Sequence, residues 1–223
     1  MGLAKKYSTN ITLSIGDGAN DVPMIMEAHI GVGIRGKEGS QAVRSADYAI
    51  GQFKFLNTLL LAHGRWGYRR ISLFICYYFY KNVILVFCEL WFAFYNGYSG
   101  QIYFADWLPM LYNAFWTSWA CIFTFVFERD VDMECSVKTP ALYKAGPKGH
   151  YFNFRTFWRW MGFAFFHGTL IFFVTEYCLE GIISKNGLTE THWISSAGAF
   201  TSCLFTVTFK LFLESTFLNM INV

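Results

Sequence analysis

A glycine-rich segment near the start of the chain carries two aspartates in an arrangement suited to binding a metal ion. The stretch "GDGAND" places Asp17 and Asp21 four residues apart, directly after the β-like run "ITLSI". Mg²⁺ usually takes one or two protein carboxylates together with water and phosphate oxygens. Asn20 adds an amide that can hydrogen-bond to a ligand or a phosphate. We therefore predict Asp17 and Asp21 as Mg²⁺ ligands, and Asn20 and Asp21 as contacts to a bound phosphate.

The segments around these aspartates predict a small parallel sheet. After "ITLSI" and the turn, residues 20–28 fit a helix with Asn20 or Asp21 as its cap, and "IGVGI" follows as a second strand. A loop with a short helix over residues 36–46 then leads to a third strand, "DYAI". This spacing is typical of parallel sheets, which bind ligands at the carboxyl ends of their strands. The alternative is a solvated turn in which Asp21 only caps the helix.

The rest of the chain has the composition of a membrane protein. Of its 223 residues, 54% are hydrophobic and 15% are charged, whereas about 25% charged residues are usual in soluble domains. Apolar runs of about 20 residues, long enough to cross a bilayer, follow the predicted sheet. We therefore predict an α/β domain over residues 1–63 and a transmembrane domain over residues 64–223. The predicted spans are residues 71–94, 107–127, 160–178 and 193–213.

The distribution of Lys and Arg predicts the orientation in the membrane. Residues 128–156 contain five of these cations, residues 179–192 contain one, and residues 95–106 contain none. The positive-inside rule places the first of these loops in the cytosol, and alternation of the spans then places the amino-terminal α/β piece there as well. The net charge of +3 is too small to indicate a nucleic-acid partner, and we expect none.

Polar residues inside the predicted spans indicate what the membrane part handles. Lys81 lies within the first span, and the second span has no Asp, Glu, Lys or Arg but contains Asn113 and Thr117 on one helix face. A buried cation disfavours a cation cargo and suits the phosphate of a lipid headgroup. The alternative is that Lys81 belongs to a structural ion pair. Glu89 follows Lys81 by eight residues and lies about 80° around the helix from it, so the two side chains would not pair directly. An ion-pair partner for Lys81 would have to come from another helix.

Several motifs resemble those of one family. "GDGANDVPMI" resembles the Mg²⁺-binding signature of P-type ATPases, whose phosphorylation domain is haloacid-dehalogenase-like. The motifs "YKNVILVF", "LYNAFWTS" and "FWRWMGFAFFHG" resemble the phospholipid-translocating (flippase) subfamily, and the likeness weakens after about residue 175. This resemblance implies a mixed fold, in which a partial haloacid-dehalogenase-like α/β piece is followed by an all-α membrane bundle of about four transmembrane helices. The chain would be the carboxy-terminal portion of such an ATPase.

The resemblance also implies roles and partners. Mg²⁺ would be the cofactor, and ATP the substrate of the complete protein. Lys81 and Asn82 match the Lys-Asn pair of flippases and, with Asn113, would line the path of the lipid headgroup. The partners would be phospholipid, the membrane and a two-span accessory subunit. Two departures concern the second span: Ala120 stands where the family usually has proline, and residues 128–131 read Glu-Arg-Asp-Val in place of a D-Q-D-V-like motif.

One part of the family's chemistry is missing from the sequence. A P-type ATPase forms its covalent intermediate on the aspartate of a D-K-T-G motif, and that motif does not occur in these 223 residues. We therefore expect the chain alone to be inactive, and we expect the sheet of residues 1–63 to expose an edge and to be unstable by itself. The alternatives are a catalytically inactive truncated membrane scaffold and a fragment of a cation-transporting P-type ATPase.

Overall fold

The protein combines a small sheet with long apolar helices, as predicted. The structure is a computed structural model that describes residues 2–7, 10–36, 40–179 and 192–216. Internal contacts divide it into two units. The first unit holds the described residues up to Gly64 together with Met133–Pro140, and the second holds Arg65–Asp132 and the described residues from Ala141 onward. The predicted boundary between residues 63 and 64 assigned residues 133–140 to the transmembrane domain, whereas the internal contacts group them with the first unit. The domain assignment stays a prediction.

The first unit is built on a three-stranded parallel sheet with the order β1-β2-β3. Its register sets Ile15 of β1 beside Val32 of β2, and Val32 beside Tyr48 of β3. Val32 is fully buried because β2 has a neighbouring strand on each side. The three strands and their parallel arrangement confirm the prediction. Their bounds are β1 Leu13–Gly16, β2 Ile30–Ile34 and β3 Tyr48–Ile50.

Short helices pack on this sheet through the glycines of β2. A Cβ on Gly31 would lie 2.6 Å from Cγ2 of Ile25, and one on Gly33 would lie 2.7 Å from Cα of Val43. Side chains at these two positions would push the helices off the sheet. The backbone N–H of Gly31 also donates to Oδ2 of Asp47 over 2.8 Å, which ties the residue before β3 to β2. The helical elements before β3 are α1 Gly2–Tyr7, a 3₁₀ turn Ala19–Asp21, α2 Val22–Glu27 and α3 Gln41–Ser45.

Three further helical segments complete the first unit. Oγ of Ser136 donates to the carbonyl oxygen of Leu61 over 2.7 Å, which joins two of these segments across 75 positions of sequence. That carbonyl lies in a π-helical turn, where a shifted hydrogen-bond pattern leaves backbone groups available for side chains. The segments are α4 Phe55–Thr58, the π-helical turn Leu59–Gly64 and α8 Met133–Lys138.

The second unit contains the long helices. Within the described residues, four helices are long and apolar enough to cross a membrane, as predicted. The first of these, counted from Phe55 to Tyr95, begins before the predicted span at residue 71. The elements are α5 Arg65–Tyr95, α6 Trp107–Leu111, a π-helical turn Tyr112–Trp116, α7 Ser118–Phe127, a 3₁₀ helix Pro140–Ala145, α9 Phe154–Leu179 and α10 His192–Glu214.

Helix α9 packs closely along α5 because small and hydroxyl-bearing residues lie between them. A Cβ on Gly168 would lie 3.0 Å from the carbonyl oxygen of Ile84, so any larger residue there would separate the helices. Nε1 of Trp91 donates to Oγ1 of Thr169 over 2.9 Å in the same contact. Close approach of backbones and side-chain hydrogen bonds are the usual means of helix association in lipid, where apolar surface alone provides little drive.

A buried cluster of charges fastens the start of α5 to the segment after α7. Asp130 accepts hydrogen bonds from both terminal nitrogens of Arg65 and, over 2.9 Å, from Nη1 of Arg69. Burial alone would raise the pKa of Asp130, but the Arg65 hydrogen bond and the charges of Arg69 and Arg65 outweigh it and hold the pKa below its ordinary value. The neighbouring Glu128 carboxylate accepts from Ser215 and Thr216, just after α10.

We expect Asp130→Asn to destabilise the protein by about 3 kcal/mol, because it leaves the Arg65 charge buried without its partner. The side chain of Arg65 is 5% exposed, so water cannot replace the lost carboxylate. Thermal unfolding of the purified chain in a non-ionic detergent measures the effect. Asp132→Asn is the matched control, since Asp132 is exposed. Equal melting temperatures for the two variants would contradict this role of Asp130.

The same cluster predicts a dependence on pH. Because the pKa of Asp130 is lowered in the folded state, the stabilisation is complete above the ordinary aspartate pKa of about 4. It is lost as the pH falls through the lowered value. The stability difference between the original chain and Asp130→Asn should therefore be constant near neutral pH and shrink below about pH 4.

Strand β1 forms one edge of the sheet, and Ile11 just before it is 78% exposed. We expect weak hydrogen-exchange protection of the amides of residues 11–15 and 31–34, because few buried contacts stabilise a small sheet with an open edge. Exchange measured on the purified chain by mass spectrometry tests this. The amides of α5 provide the internal reference. Protection of both strands as strong as that of α5 would show that the first unit is stable by itself.

Candidate functional site

The turn after β1 is closed by the carboxylate of Asp21. Its Oδ2 accepts hydrogen bonds from the backbone N–H of Asp17 over 3.1 Å and of Gly18 over 3.3 Å. Asp21 occupies the N-cap position of α2, but its side chain makes no capping hydrogen bond to that helix. The carboxylate therefore points back into the turn, which differs from the simple capping role considered above.

The turn leaves carboxylate oxygens available at the carboxyl end of β1. Asp17 is exposed, and neither its carboxylate nor Oδ1 of Asp21 bonds to another described residue. Asn20 is exposed beside them. A Cβ on Gly16 would lie 2.3 Å from Cβ of Asp21, so only glycine allows the strand to pass this side chain. The structure thus places the predicted residues around one turn.

These residues fit Mg²⁺ as part of a larger site. In the described part of the chain, no group of three or more His, Cys, Asp or Glu side chains is placed to hold a metal ion. Two carboxylates agree with the coordination habit of Mg²⁺, which takes its remaining ligands from water and phosphate oxygens. The turn suits a weakly held ion that a phosphate group completes, and it does not suit a closed structural metal site.

A second cluster lies in the helical unit, around Lys81 of α5. The ammonium group of Lys81 donates to Oδ1 of Asn113 and to Oγ1 of Thr117, each over 2.7 Å. Lys81 is 2% exposed, and its nitrogen lies 5.1 Å and 5.4 Å from the ring centres of Tyr78 and Tyr112. Ring faces attract cations, so the charge is surrounded by neutral groups that each favour it weakly.

A π-helical turn between α6 and α7 carries Asn113 and ends next to Thr117, the two acceptors of the ammonium group. The backbone N–H of Thr117 donates to the carbonyl oxygen of Tyr112, five residues earlier, over 3.0 Å. This wider turn is typical of functional sites in helices. It sets Asn113 and Thr117 against α5, and the hydroxyl of Tyr112 donates to the carbonyl oxygen of Lys81 over 2.9 Å.

Lys81 has no carboxylate partner within the described residues. The cations that form ion pairs in that part of the chain are Arg65, Arg69, Lys138 and Lys210. The interpretation of Lys81 as a member of a structural ion pair therefore finds no support there. Glu89 is exposed on α5 and does not approach Lys81.

The structure brings together some of the predicted headgroup residues and separates another. Lys81 and Asn113 are in direct contact, whereas the amide nitrogen of Asn82 donates to the carbonyl oxygen of Tyr78 on its own helix over 3.0 Å. Tyr112 was not predicted, because a tyrosine inside an apolar run looks like a packing residue. Thr117 carried a signal, since it lies four residues after Asn113 in a span without charges.

Comparison with known proteins gives relatives along almost the whole chain. Residues 43–223 match the family model described as phospholipid-translocating P-type ATPase C-terminal. The chain is 43% identical over 207 residues to phospholipid-transporting ATPase DRS2 of Saccharomyces cerevisiae, which covers 92% of this chain and 15% of that protein. It is 40% identical over 225 residues to human phospholipid-transporting ATPase IC, which covers 99% of this chain and 18% of that protein.

The chain therefore spans less than one fifth of the length of these relatives. The resemblance predicted from the motifs is confirmed, because the matching family model and these relatives are described as phospholipid-transporting. The likeness extends well beyond residue 175, where the motifs had weakened. The chain belongs to the phospholipid-translocating P-type ATPases, of which it represents the carboxy-terminal part.

Proposed function

We propose that this chain forms part of an ATP-driven flippase that moves phospholipid between bilayer leaflets. The observation that carries the proposal is the buried ammonium of Lys81, which is bound by neutral oxygens and has no carboxylate partner in the described residues. An isolated charge in an apolar bundle is costly and is stabilised by an anion that binds beside it. The phosphate of a lipid headgroup supplies such an anion each time a lipid passes.

The lipid path in this proposal runs along α5 and the segment from α6 to α7. Lys81 and Asn113 contact the headgroup, and Asn82, which is half-buried on α5, lines the path one position further along. No carboxylate is present in residues 107–127 to replace the hydration shell of a cation. That composition agrees with a lipid cargo.

The turn after β1 is proposed to hold Mg²⁺ next to a phosphorylated group. Mg²⁺, when bound, offsets negative charge on phosphate oxygens. Asp17 supplies an exposed carboxylate and Asp21 supplies Oδ1, while Oδ2 of Asp21 keeps the turn closed. Asn20 is available for a hydrogen bond to the phosphate. ATP is the substrate of the complete protein in this proposal.

The chain by itself is proposed to be inactive, because a D-K-T-G aspartate is not among its 223 residues. The competing proposal is a catalytically inactive membrane scaffold. The excess of Lys and Arg in residues 128–156 supports a cytosolic location of that loop and, by alternation of the spans, of the sheet. ATP is available in the cytosol. A two-span accessory subunit is proposed from the family resemblance alone.

Lipid transport in vesicles separates the two proposals. The chain is reconstituted alone or after co-expression with an upstream half that carries D-K-T-G, and movement of a fluorescent phospholipid is measured with and without ATP. We expect ATP-dependent transport only in the co-expressed sample. Transport absent from both samples, with both halves inserted and assembled, would favour the scaffold.

We expect Lys81→Met to lower that transport by about tenfold or more, because each charge-assisted hydrogen bond to the headgroup contributes roughly 1.5–3 kcal/mol. The initial rate of lipid movement at saturating ATP measures the effect. Lys144→Met is the matched control, since Lys144 is an exposed lysine outside the candidate spans. If both variants transport lipid at the original rate, Lys81 does not contact the headgroup.

We expect Asp17→Asn to weaken Mn²⁺ binding at the turn by about tenfold, since it removes one of two carboxylate ligands. Mn²⁺ replaces Mg²⁺ as a paramagnetic probe, and broadening of the amide signals of Asp17 and Gly18 reports its binding without any turnover. Glu27→Gln is the control, because Glu27 is an exposed carboxylate on α2. Unchanged broadening in Asp17→Asn would remove Asp17 from the metal site.

A further inference from the structure

One carboxylate of α5 lies inside the apolar span without a partner in the part of the chain that the structure describes. Glu89 is exposed, and its side chain forms no hydrogen bond or ion pair with another described residue. An ionisable residue that faces lipid is costly, so such residues usually face a protein interior or a wet cavity and mark the path of a substrate. A ligand with a positive charge would remove that cost at Glu89.

Glu89 shares one face of α5 with Asn82. The two residues are seven positions apart, so they lie about 20° apart around the helix axis and about 10 Å apart along it. Tyr78 and Val86, one turn before and one turn after Asn82, are exposed as well. These residues form an open face of α5, and the carboxylate of Glu89 is the charged group on it.

The opposite side of α5 is covered by α9. Ile84 and Trp91 lie about 160° and 180° around the helix from Asn82. The carbonyl oxygen of Ile84 lies against Gly168, and Nε1 of Trp91 donates to Thr169. The open face is therefore the side of α5 on which a lipid headgroup can travel past Asn82.

Glu89 lies further from the cytosolic end of α5 than Lys81 does. The excess of Lys and Arg in residues 128–156 supports a cytosolic start of α5 and an outer end near Tyr95. The eight residues from Lys81 to Glu89 rise by about 12 Å. That rise is longer than the two-carbon link between phosphate and nitrogen in a zwitterionic headgroup. One headgroup would therefore contact the two residues in succession.

The chemistry of a carboxylate selects one end of a headgroup. An ionised carboxylate only accepts hydrogen bonds, so it pairs with the ammonium of an ethanolamine headgroup through charge and N–H donors. The trimethylammonium of choline offers the charge without the N–H donors. A glycerol headgroup has no cation, and its phosphate is repelled by the carboxylate.

We propose that Glu89 is a specificity-determining residue on the lipid path, where its carboxylate binds the cationic nitrogen of a zwitterionic headgroup. This inference rests on the proposed function, since it adds a second point of headgroup contact on α5. Lys81 is assigned to the phosphate that all phospholipids carry, and Glu89 distinguishes among them by the group attached to that phosphate.

Binding titrations of three short-chain lipids test the inference. The chain is assembled with its upstream half in a non-ionic detergent, and dihexanoylphosphatidylethanolamine, dihexanoylphosphatidylcholine and dihexanoylphosphatidylglycerol are compared by calorimetry. We expect affinity to fall in that order for the original chain. Glu89→Gln should weaken ethanolamine-lipid binding about tenfold and leave the glycerol lipid unchanged or bound more tightly.

Two further variants separate charge from shape. Glu89→Asp keeps the carboxylate and should keep the preference for the ethanolamine lipid within about threefold of the original. Glu134→Gln is the matched control, since Glu134 is an exposed carboxylate outside the candidate spans, and it should change none of the three affinities. The ratio of KM values for transport of the ethanolamine and glycerol lipids in vesicles should follow the ratio of their affinities.

Three results would overturn the inference. The first is an unchanged preference for the ethanolamine lipid in Glu89→Gln, and the second is an equal loss of all three lipids in that variant. The third is a Glu89→Gln chain that folds but no longer assembles with the upstream half, because Glu89 would then pair with a membrane helix of that half.

Lys81→Met distinguishes failure of this inference from failure of the proposed function. If Lys81→Met weakens all three lipids while Glu89→Gln changes none, the lipid path stands and the role of Glu89 is wrong. If neither variant changes the binding or transport of any lipid, the lipid path along α5 is itself wrong.

Discussion

The helical unit is organised around one constraint, which is that the ammonium of Lys81 has to be hydrogen-bonded inside an apolar bundle. An ammonium removed from water without partners costs many kcal/mol, so the surrounding helices have to supply oxygen atoms at the correct distance. Asn113 and Thr117 meet that demand at 2.7 Å each. The chain adopts a π-helical turn at this point, and the turn begins with the fully buried Tyr112.

The two units satisfy their buried polar groups in different ways. In the sheet, glycines let backbones approach, and the carboxylates of Asp47 and Asp21 accept backbone N–H groups. In the helices, backbone groups bond within each helix, so side chains such as Trp91 and Thr169 make the connections between helices. The first arrangement leaves the Asp17 carboxylate exposed at a turn, and the second leaves the Lys81 charge buried against neutral side chains.

Much of this architecture was predictable because it depends on local patterns. The alternation of strand and helix around Gly16 and the length of the apolar runs determine the mixed fold, and both can be read over windows of 5 to 25 residues. The contact between Lys81 and Asn113 was partly predictable, since both are polar residues in apolar spans. The hydrogen bond from Tyr112 to Lys81 was not predictable, because it depends on which face of one helix meets another 31 positions away. The Arg65–Asp130 pair joins residues 65 positions apart, and no local pattern indicates such a partnership.

The closeness of Gly16 to Asp21 has a consequence for how this sequence can change over evolutionary time. A Cβ at position 16 would lie 2.3 Å from Cβ of Asp21, so even alanine at position 21 would not make room for it. A side chain can appear at position 16 only if position 21 gives up its own side chain, and with it the carboxylate. The two positions form an epistatic pair, in which each substitution is harmful in the background of the other's present residue. A lineage that keeps its aspartate at position 21 therefore has no accessible path away from glycine at position 16.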